Sequence, residues 1–200
     1  EGLQWSDGEP ITAKDFVFTA NQLSLREDVS GSDRSTYIKE TEDGTPAMVE
    51  FEYIDDLTLR VTFPQTSAAI ISESSFGAAP MHIFAPLIGW DEDEHGLEYE
   101  YTVETDEDGN EVIVEIKDEG VDYAAVNSFW GVDTDVTQIV GSGPWVISEY
   151  VPDQRITFEA NPFYWKTDAN GTQLPYLEEM VYVTIPDQDT MLQRFLAGDL

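Results

Sequence analysis

The sequence predicts an α+β fold, a mixed β-sheet with hairpins and short helices. Three features carry that prediction. Met48–Phe63 and Leu97–Lys117 alternate apolar with acidic or hydroxyl residues around Asp55-Asp56 and Asp108-Gly109, which is the period of half-buried hairpins. Helical spacing of apolar residues is confined to short stretches near 13–26, 121–130 and 187–198. Gly141-Ser142-Gly143-Pro144 then punctuates the chain and leads into two strands, Trp145–Tyr150 and Arg155–Ala160, with Pro152-Asp153 as the turn between them. There are no internal repeats and no long low-complexity linker, so hairpins and a few helices must share one or two packed lobes.

Taken in order, Thr12 is an N-cap with Asp15 as its box partner, opening a helix over about 13–26 in which Phe16 and Ala20 face a core. The polar stretch Asp28–Thr36 reads as a loop, and Tyr37 follows it. In Met48–Phe63, Val49, Phe51 and Tyr53 alternate with acids before the turn, and Leu57, Leu59, Val61 and Phe63 alternate after it. Pro64 ends that hairpin, and Ser67–Ser75 has weak helical character. Asp91–Glu94 is an acidic loop. The hairpin Leu97–Val103 with Glu111–Lys117 carries an acidic face and is expected as a surface excursion. Val121–Trp130 is a short helix with Val121, Ala124, Ala125 and Phe129 inward. At Gly141–Pro144 the chain is expected to turn too tightly for most Cβ atoms. Asn161-Pro162 is a further turn, and Phe163, Tyr164 and Trp165 behind it are expected as a packing plug. Leu177–Ile185 is a strand. Asp187 caps a last helix in which Met191, Leu192, Phe195 and Leu196 fall at helical spacing and Gly198 is the stop.

Composition narrows the function classes. The chain has 200 residues, 41% of them hydrophobic and 12% aromatic, which suffices for a sizeable core. It carries 41 acidic residues against 9 Lys plus Arg, a net charge of −32. Nucleic-acid binding is excluded on that balance, because phosphate contacts need Lys and Arg. A charge of this size repels itself unless salt screens it, and the acids are spread along the whole chain. An acidic surface adapted to high salt is therefore expected; a cationic partner and divalent metal binding are the alternatives. Asp106–Asn110 is the nearest approach to a calcium loop, but it lacks the alternating ligands and closing Glu, and it reads as a hairpin turn. With no cysteine there is no disulfide, thiol nucleophile or Cys-bound zinc. No apolar run of about 20 residues is present to span a membrane.

No GxSxG, HExxH, P-loop or GxGxxG occurs. His82 and His95 stand alone, and His82 reads as structural. Carboxylate pairs abound, but among 41 acids such pairs arise by chance and carry no weight. No catalytic residue, metal ligand or cofactor is expected. Aromatics on turns remain: Trp90, Phe129, Trp130, Trp145, Tyr164 and Trp165. Aromatic faces bind sugar rings and apolar side chains. Trp130 and Trp145 flank the glycine turn and are the candidates to reach a ligand cleft, against the ordinary alternative of core packing.

Four segments carry a family resemblance. They are Trp5-Ser6-Asp7-Gly8-Glu9-Pro10-Ile11-Thr12-Ala13-Lys14-Asp15-Phe16-Val17-Phe18, Gly141-Ser142-Gly143-Pro144-Trp145 with Asn161-Pro162-Phe163-Tyr164-Trp165, Gly171-Thr172-Gln173-Leu174-Pro175-Tyr176-Leu177, and Phe195-Leu196-Ala197-Gly198-Asp199. In this order and register they resemble the family 5 extracellular solute-binding proteins, receptors of peptide, nickel and some oligosaccharide ABC importers. Ala79-Pro80-Met81-His82-Ile83-Phe84 is similar to another family segment. The resemblance implies part of one lobe of a two-lobed periplasmic-binding-protein-like fold (type II, cluster C). It assigns 1–140 to a subdomain with the helix, hairpins and acidic excursion, and 141–200 to the sheet-forming part of the same lobe. The second lobe is expected outside an internal fragment, as is any signal or lipid anchor.

The implied function is capture of an extracellular solute, most often an oligopeptide, for ABC permease subunits. The resemblance also brings the segment after the first helix, and so Tyr37, toward the ligand. The expected location is periplasmic or extracellular, with membrane contact only through an anchor. Two other classes remain open on the residues: the ligand-sensing domain of a regulator, and a carboxylate-dependent hydrolase.

Overall fold

A computed structural model describes residues 2–32, 34–66, 76–129, 131 and 133–199. The chain divides into two compact units. The first is Ile11–Gly131; the second joins Gly2–Pro10 to Val132–Leu200. Every strand pair among the described residues is antiparallel, in three two-stranded sheets and one of three strands.

The first unit is built around one helical segment with two buried sides. α1 (Ala13–Phe18) starts at Thr12, whose hydroxyl accepts from Lys14 N, while the Asp15 carboxylate accepts from Thr12 N at 2.9 Å. The expected capping box is present. Asp15 is itself buried, and its other oxygen accepts from Met81 N at 3.0 Å, tying the helix start to a distant segment. From Thr19 to Ser24 the helix widens into a π-helix. The wider turn changes which side chains share a face. Val17 and Phe18, adjacent in sequence, are both fully buried and enter different clusters, whereas Phe16, expected in the core, is only half-buried.

One cluster gathers Phe18 and Leu23 with α3 (Met81–Ile88), Trp90, Tyr123 and Val126. Phe18 meets Trp90 edge-on at 5.2 Å. The sequence reading contained no helix at α3; the helix is short, holds Pro86 and ends on Gly89 at φ 72°. The expected acidic loop at 91–94 is a single helical turn, α4 (Glu92–His95), capped by the Asp91 carboxylate. The helix expected over 121–130 is a 3₁₀ turn, Tyr123–Ala125, followed by α5 (Val126–Phe129). The tighter turn puts Tyr123 and Val126 inward and leaves Ala124 exposed, correcting the expected inward set.

The other cluster joins Val17, Ala20 and Leu25 to the strands. β1 (Ile38–Glu40) follows α2 (Arg34–Tyr37) and pairs with β2 (Pro46–Met48), a hairpin the sequence reading did not contain. β3 (Glu50–Asp55) and β4 (Thr58–Thr62) form the expected hairpin, with Phe51 buried on its inner face. β5 (Tyr101–Thr105) and β6 (Glu111–Glu115) form the second, turned at Asp106–Asn110 where the Asp106 carboxylate accepts from the backbone N–H of Asp108 and Asn110. This hairpin is more than a surface excursion: Ile113 and Glu115 point into the protein. The stretch Ser67–Ser75 lies outside the described residues.

A buried polar network locks the segment after α1 to the β6 region. Arg26 is 1% exposed and donates to Asn21 O, Ile116 O, Gln22 Oε1 and Asp118 Oδ2. Its guanidinium lies 4.3 Å over the Tyr123 ring and 5.0 Å over Tyr99. Burial and a hydrogen bond to Asp118 push the Tyr123 phenol far above its usual range.

The second unit is a three-stranded sheet, β7 (Trp145–Val151), β8 (Arg155–Ala160) and β9 (Glu179–Val183), with β8 central. β9 is the core of the expected strand 177–185. Asp153, at φ 59°, makes the β7–β8 turn. α6 (Gln188–Ala197) has the expected ends: Asp187 Oδ2 accepts from Thr190 N at 2.7 Å, and Gly198 stops it at φ 79°. None of its residues is buried.

Candidate functional site

Three places have the residue types that hold small molecules, and each is set by local structure. The first is the glycine turn of the second unit. Asn161, 1% exposed, donates from its amide to Gly143 O at 2.8 Å and accepts from Phe163 N at 2.9 Å, while its own N–H reaches Pro144 O at 2.9 Å. This side chain therefore staples the Asn-Pro turn onto the Gly-Ser-Gly-Pro turn. Ser6 pins the same loop from the other side: its N–H donates to Gly141 O and its hydroxyl accepts from Gly141 N. Trp145 opens β7 opposite Ala160 and is half-buried. The expected crowding at the glycines is not found. Neither Gly141 nor Gly143 has a positive φ, and a Cβ at either would meet nothing within 4 Å. Gly8 is the residue that needs to be small: at φ 91° a Cβ there would lie 3.0 Å from the Phe163 ring. The expected packing plug is not formed: Phe163 touches Gly8 but is 38% exposed, and Trp165 is 59% exposed with Lys166 Nζ 4.9 Å over its ring.

The second place is Tyr37, at the end of α2. Its ring meets Phe51 edge-on at 5.7 Å and stacks on Phe76 at 6.3 Å, and its carbonyl accepts from Val49 N. Tyr37 is half-buried in an aromatic cluster at the edge of the second core. Trp130 lies outside the described residues.

The third place is a cavity of about 610 Å³ inside the first unit. Around it lie Glu50-Phe51-Glu52-Tyr53 of β3 on one side and Leu97, Glu98, Tyr99 and Tyr101 on the other, with the buried Val17 and Asn21 of the helical segment beneath. Asn21 holds the walls in place, because its amide donates to Phe51 O at 3.0 Å and Leu97 O at 2.7 Å. Tyr53 is pushed up to about 12 by its hydrogen bond to Asp56 and by the acids around it. Burial pushes the Tyr99 phenol up, with Arg34 and Arg26 pulling against it.

The sequence reading missed this cavity. The signal was present as two matching tetrapeptides, Glu50-Phe51-Glu52-Tyr53 and Glu98-Tyr99-Glu100-Tyr101, which place aromatics on one face of two separate extended segments. Among the described residues no group of three or more His, Cys, Asp or Glu is placed to hold a metal ion. His95 takes part in a local turn, with Nδ1 3.1 Å from Asp91 N and the ring stacked on Trp90.

The described residues of both units offer aromatic rings and hydrogen-bond acceptors, groups that hold small molecules. The family profile "Bacterial extracellular solute-binding proteins, family 5 Middle" matches residues 1–200, and the chain belongs to that family. A probable ABC transporter-binding protein of Deinococcus radiodurans is 28% identical over 204 residues, covering 100% of this chain and 28% of the relative. Two solved structures share the fold. The periplasmic binding protein MelB of Agrobacterium fabrum, solved with stachyose, has a TM-score of 0.65 at 24% identity, over 99% of this chain and 25% of that one. The oligopeptide-binding protein AppA of Bacillus subtilis, solved with a nonapeptide, has a TM-score of 0.60 at 22% identity, over 100% of this chain and 30% of that one. The chain thus spans under a third of these relatives, and its fold is that of part of one lobe of a two-lobed solute-binding protein. No helix among the described residues is long and apolar enough to cross a membrane.

Proposed function

We propose that this chain is part of the substrate-binding component of an ABC importer, which captures an oligopeptide outside the cytoplasm and delivers it to membrane permease subunits. The family match across residues 1–200 carries the reading. The nonapeptide in AppA supports a peptide; the stachyose in MelB favours, as a second reading, an oligosaccharide. The protein binds and releases its solute without chemistry, in the periplasm or outside the cell, with a lipid anchor as a further element of the proposal. Binding closes two lobes by shifting a population that ligand contacts on both lobes stabilise.

Tyr37, Trp145 and Trp130 are the proposed contacts. The deciding experiment is mass spectrometry of small molecules released by denaturing the full-length gene product purified from its own host. Peptides of a few residues are expected, and a sugar or a metal chelate would overturn the peptide assignment. With the solute in hand, Tyr37→Ala or Trp145→Ala should weaken binding roughly tenfold, the scale of one aromatic contact. Unchanged affinity removes that residue from the site.

The net charge of −32 supports a second element, adaptation of the surface to high salt. The melting temperature should climb steadily from dilute buffer to molar KCl as screening relieves self-repulsion. A flat or falling curve argues against it.

A further inference from the structure

We propose that Asn170 is an acceptor for an N-linked glycan. The inference rests on the export that the family reading implies and is independent of which solute is carried.

Asn170-Gly171-Thr172 is an Asn-x-Thr sequence without proline at its middle position, the pattern that N-linked glycan transfer requires. The other four asparagines are Asn21, Asn110, Asn127 and Asn161, and none has Ser or Thr two residues on. Each of the four also has a hydrogen-bonding task. Asn21 donates to Phe51 O and Leu97 O, Asn110 to the Asp106 carboxylate, Asn127 to Asp28 O and Asn161 to Gly143 O.

Asn170 stands at the tip of a hairpin turn. Thr167 and Gln173 bridge across its base. Asp168 N donates to Thr172 O at 2.9 Å, and Gly171 N, at φ 83°, donates to Asp168 O at 3.0 Å. The Asp168 carboxylate closes the loop from within, accepting from the backbone N–H of Asn170 and of Thr172, both at 2.8 Å. Backbone groups and one aspartate thus hold the turn. Asn170, Gly171 and Thr172 are all exposed.

The plain alternative is turn chemistry, since Asn-Gly is favoured at hairpin tips. Two other tips of this chain weigh against it. In Thr41–Thr45 and Asp106–Asn110, Gly44 N donates to Thr41 O and Gly109 N to Asp106 O, with φ 89° and 87° at the two glycines. Both tips have an aspartate, Asp43 and Asp108, where the third has Asn170. Aspartate therefore serves this geometry, and the chain has 41 acidic residues. The turn does not demand an amide at 170, whereas glycan transfer does, because the carboxamide nitrogen is the group that is modified.

A sugar placed there also finds a surface. The Tyr176 hydroxyl donates to Asp168 Oδ2 at 2.9 Å, so its ring lies beside the loop, and Tyr176 is 69% exposed. Such a ring offers an apolar face on which a sugar can stack. The donor class is a lipid-linked glycosyl pyrophosphate outside the cytoplasm. The bond from sugar C1 to the pyrophosphate oxygen breaks, its electron pair leaving with the lipid pyrophosphate. A bond forms between Asn170 Nδ2 and C1, and the proton displaced from Nδ2 passes to a base of the transferase.

Tryptic mapping of the full-length gene product, purified from the envelope or medium of its own host, tests the site. Cleavage after Lys166 and Arg194 releases Thr167–Arg194, whose only asparagine is Asn170. Mass spectrometry should find this peptide with an added sugar mass that collisional fragmentation removes. Asn170→Gln and Thr172→Ala should each abolish the addition, and Thr172→Ser should keep it. All three leave the backbone N–H bonds to Asp168 in place. An unmodified peptide from the exported protein, a peptide changed only by deamidation to aspartate, or sugar that persists in Asn170→Gln would overturn the site and leave the transport reading intact. Recovery of the protein from the cytoplasm alone would overturn both.

Discussion

The two units use the same local devices and obtain different results from them. α1 and α6 both begin on a side-chain cap, Thr12 and Asp187, and both carry apolar residues at helical spacing. In the first unit that pattern is buried: Val17 and Phe18 are fully inaccessible, in two clusters that strands and further helices close over. In the second unit it is open: Met191, Leu192, Phe195 and Leu196 of α6 are 45–74% exposed, and among the described residues Trp5 is the only buried hydrophobic of that unit. Caps and periodicity nominate a helix, but burial is what stabilises it. A ten-residue helix held by its ends alone is marginal in water.

The largest expected effect follows from that contrast. Phe18→Ala removes a fully buried ring between helices and Trp90 and should cost about 3–5 kcal/mol in denaturant unfolding. A loss below about 1 kcal/mol would mean that the two-cluster core is not the stabilising element.

Cap removal sharpens the comparison. Asp187→Ala should fray α6 visibly, with faster amide exchange at Thr190, because no residue of that helix is buried. Thr12→Ala should leave α1 helical, because its core holds it. Acid should reproduce the Asp187 effect. Hydrogen bonds from Thr190 hold its carboxyl below the usual 3.8. The cap is therefore complete above 3.8 and is lost as pH falls through the lower folded value. A protection factor at Thr190 (its exchange relative to an unstructured amide at the same pH) that stays constant between pH 5 and 2 would break the argument.

The smallest effect is on the open face. Phe195→Ala should change stability by less than about 0.5 kcal/mol, although the residue is as large as Phe18. A large loss there would show that α6 has a cover in solution.

Much of this molecule was legible before its structure, and the failures share a cause. The hairpins at Glu50–Thr62 and Tyr101–Glu115, the β7–β8 pair and both ends of α6 follow from period-two alternation, turn residues and caps, which are local rules. The errors came where packing selects among local options. Phe16 was placed in the core, but in α1 the fully buried side chains are Val17 and Phe18, which packing against two separate clusters selects. Ala124 was turned inward on an α-helical count, and the 3₁₀ turn put Tyr123 there. Trp165 was read as buried from its hydrophobicity alone and is exposed.

The candidate site divides in the same way. Tyr37 was named from the family resemblance and Trp145 from its place beside the glycine turn, and both are half-buried. The cavity could not be placed. Its walls are about fifty residues apart in sequence, and contacts between distant segments bring them together, Asn21 bridging Phe51 and Leu97 and Met48 N donating to the Tyr101 hydroxyl.

The sequence by itself determined the family, the α+β class, the turns and the acidic surface, because these depend on residue types and short spacings. The tertiary structure alone decided which apolar faces are covered, which carboxylates find a cation, and where a cavity opens. Those outcomes depend on contacts between segments far apart in the chain, which no local pattern encodes.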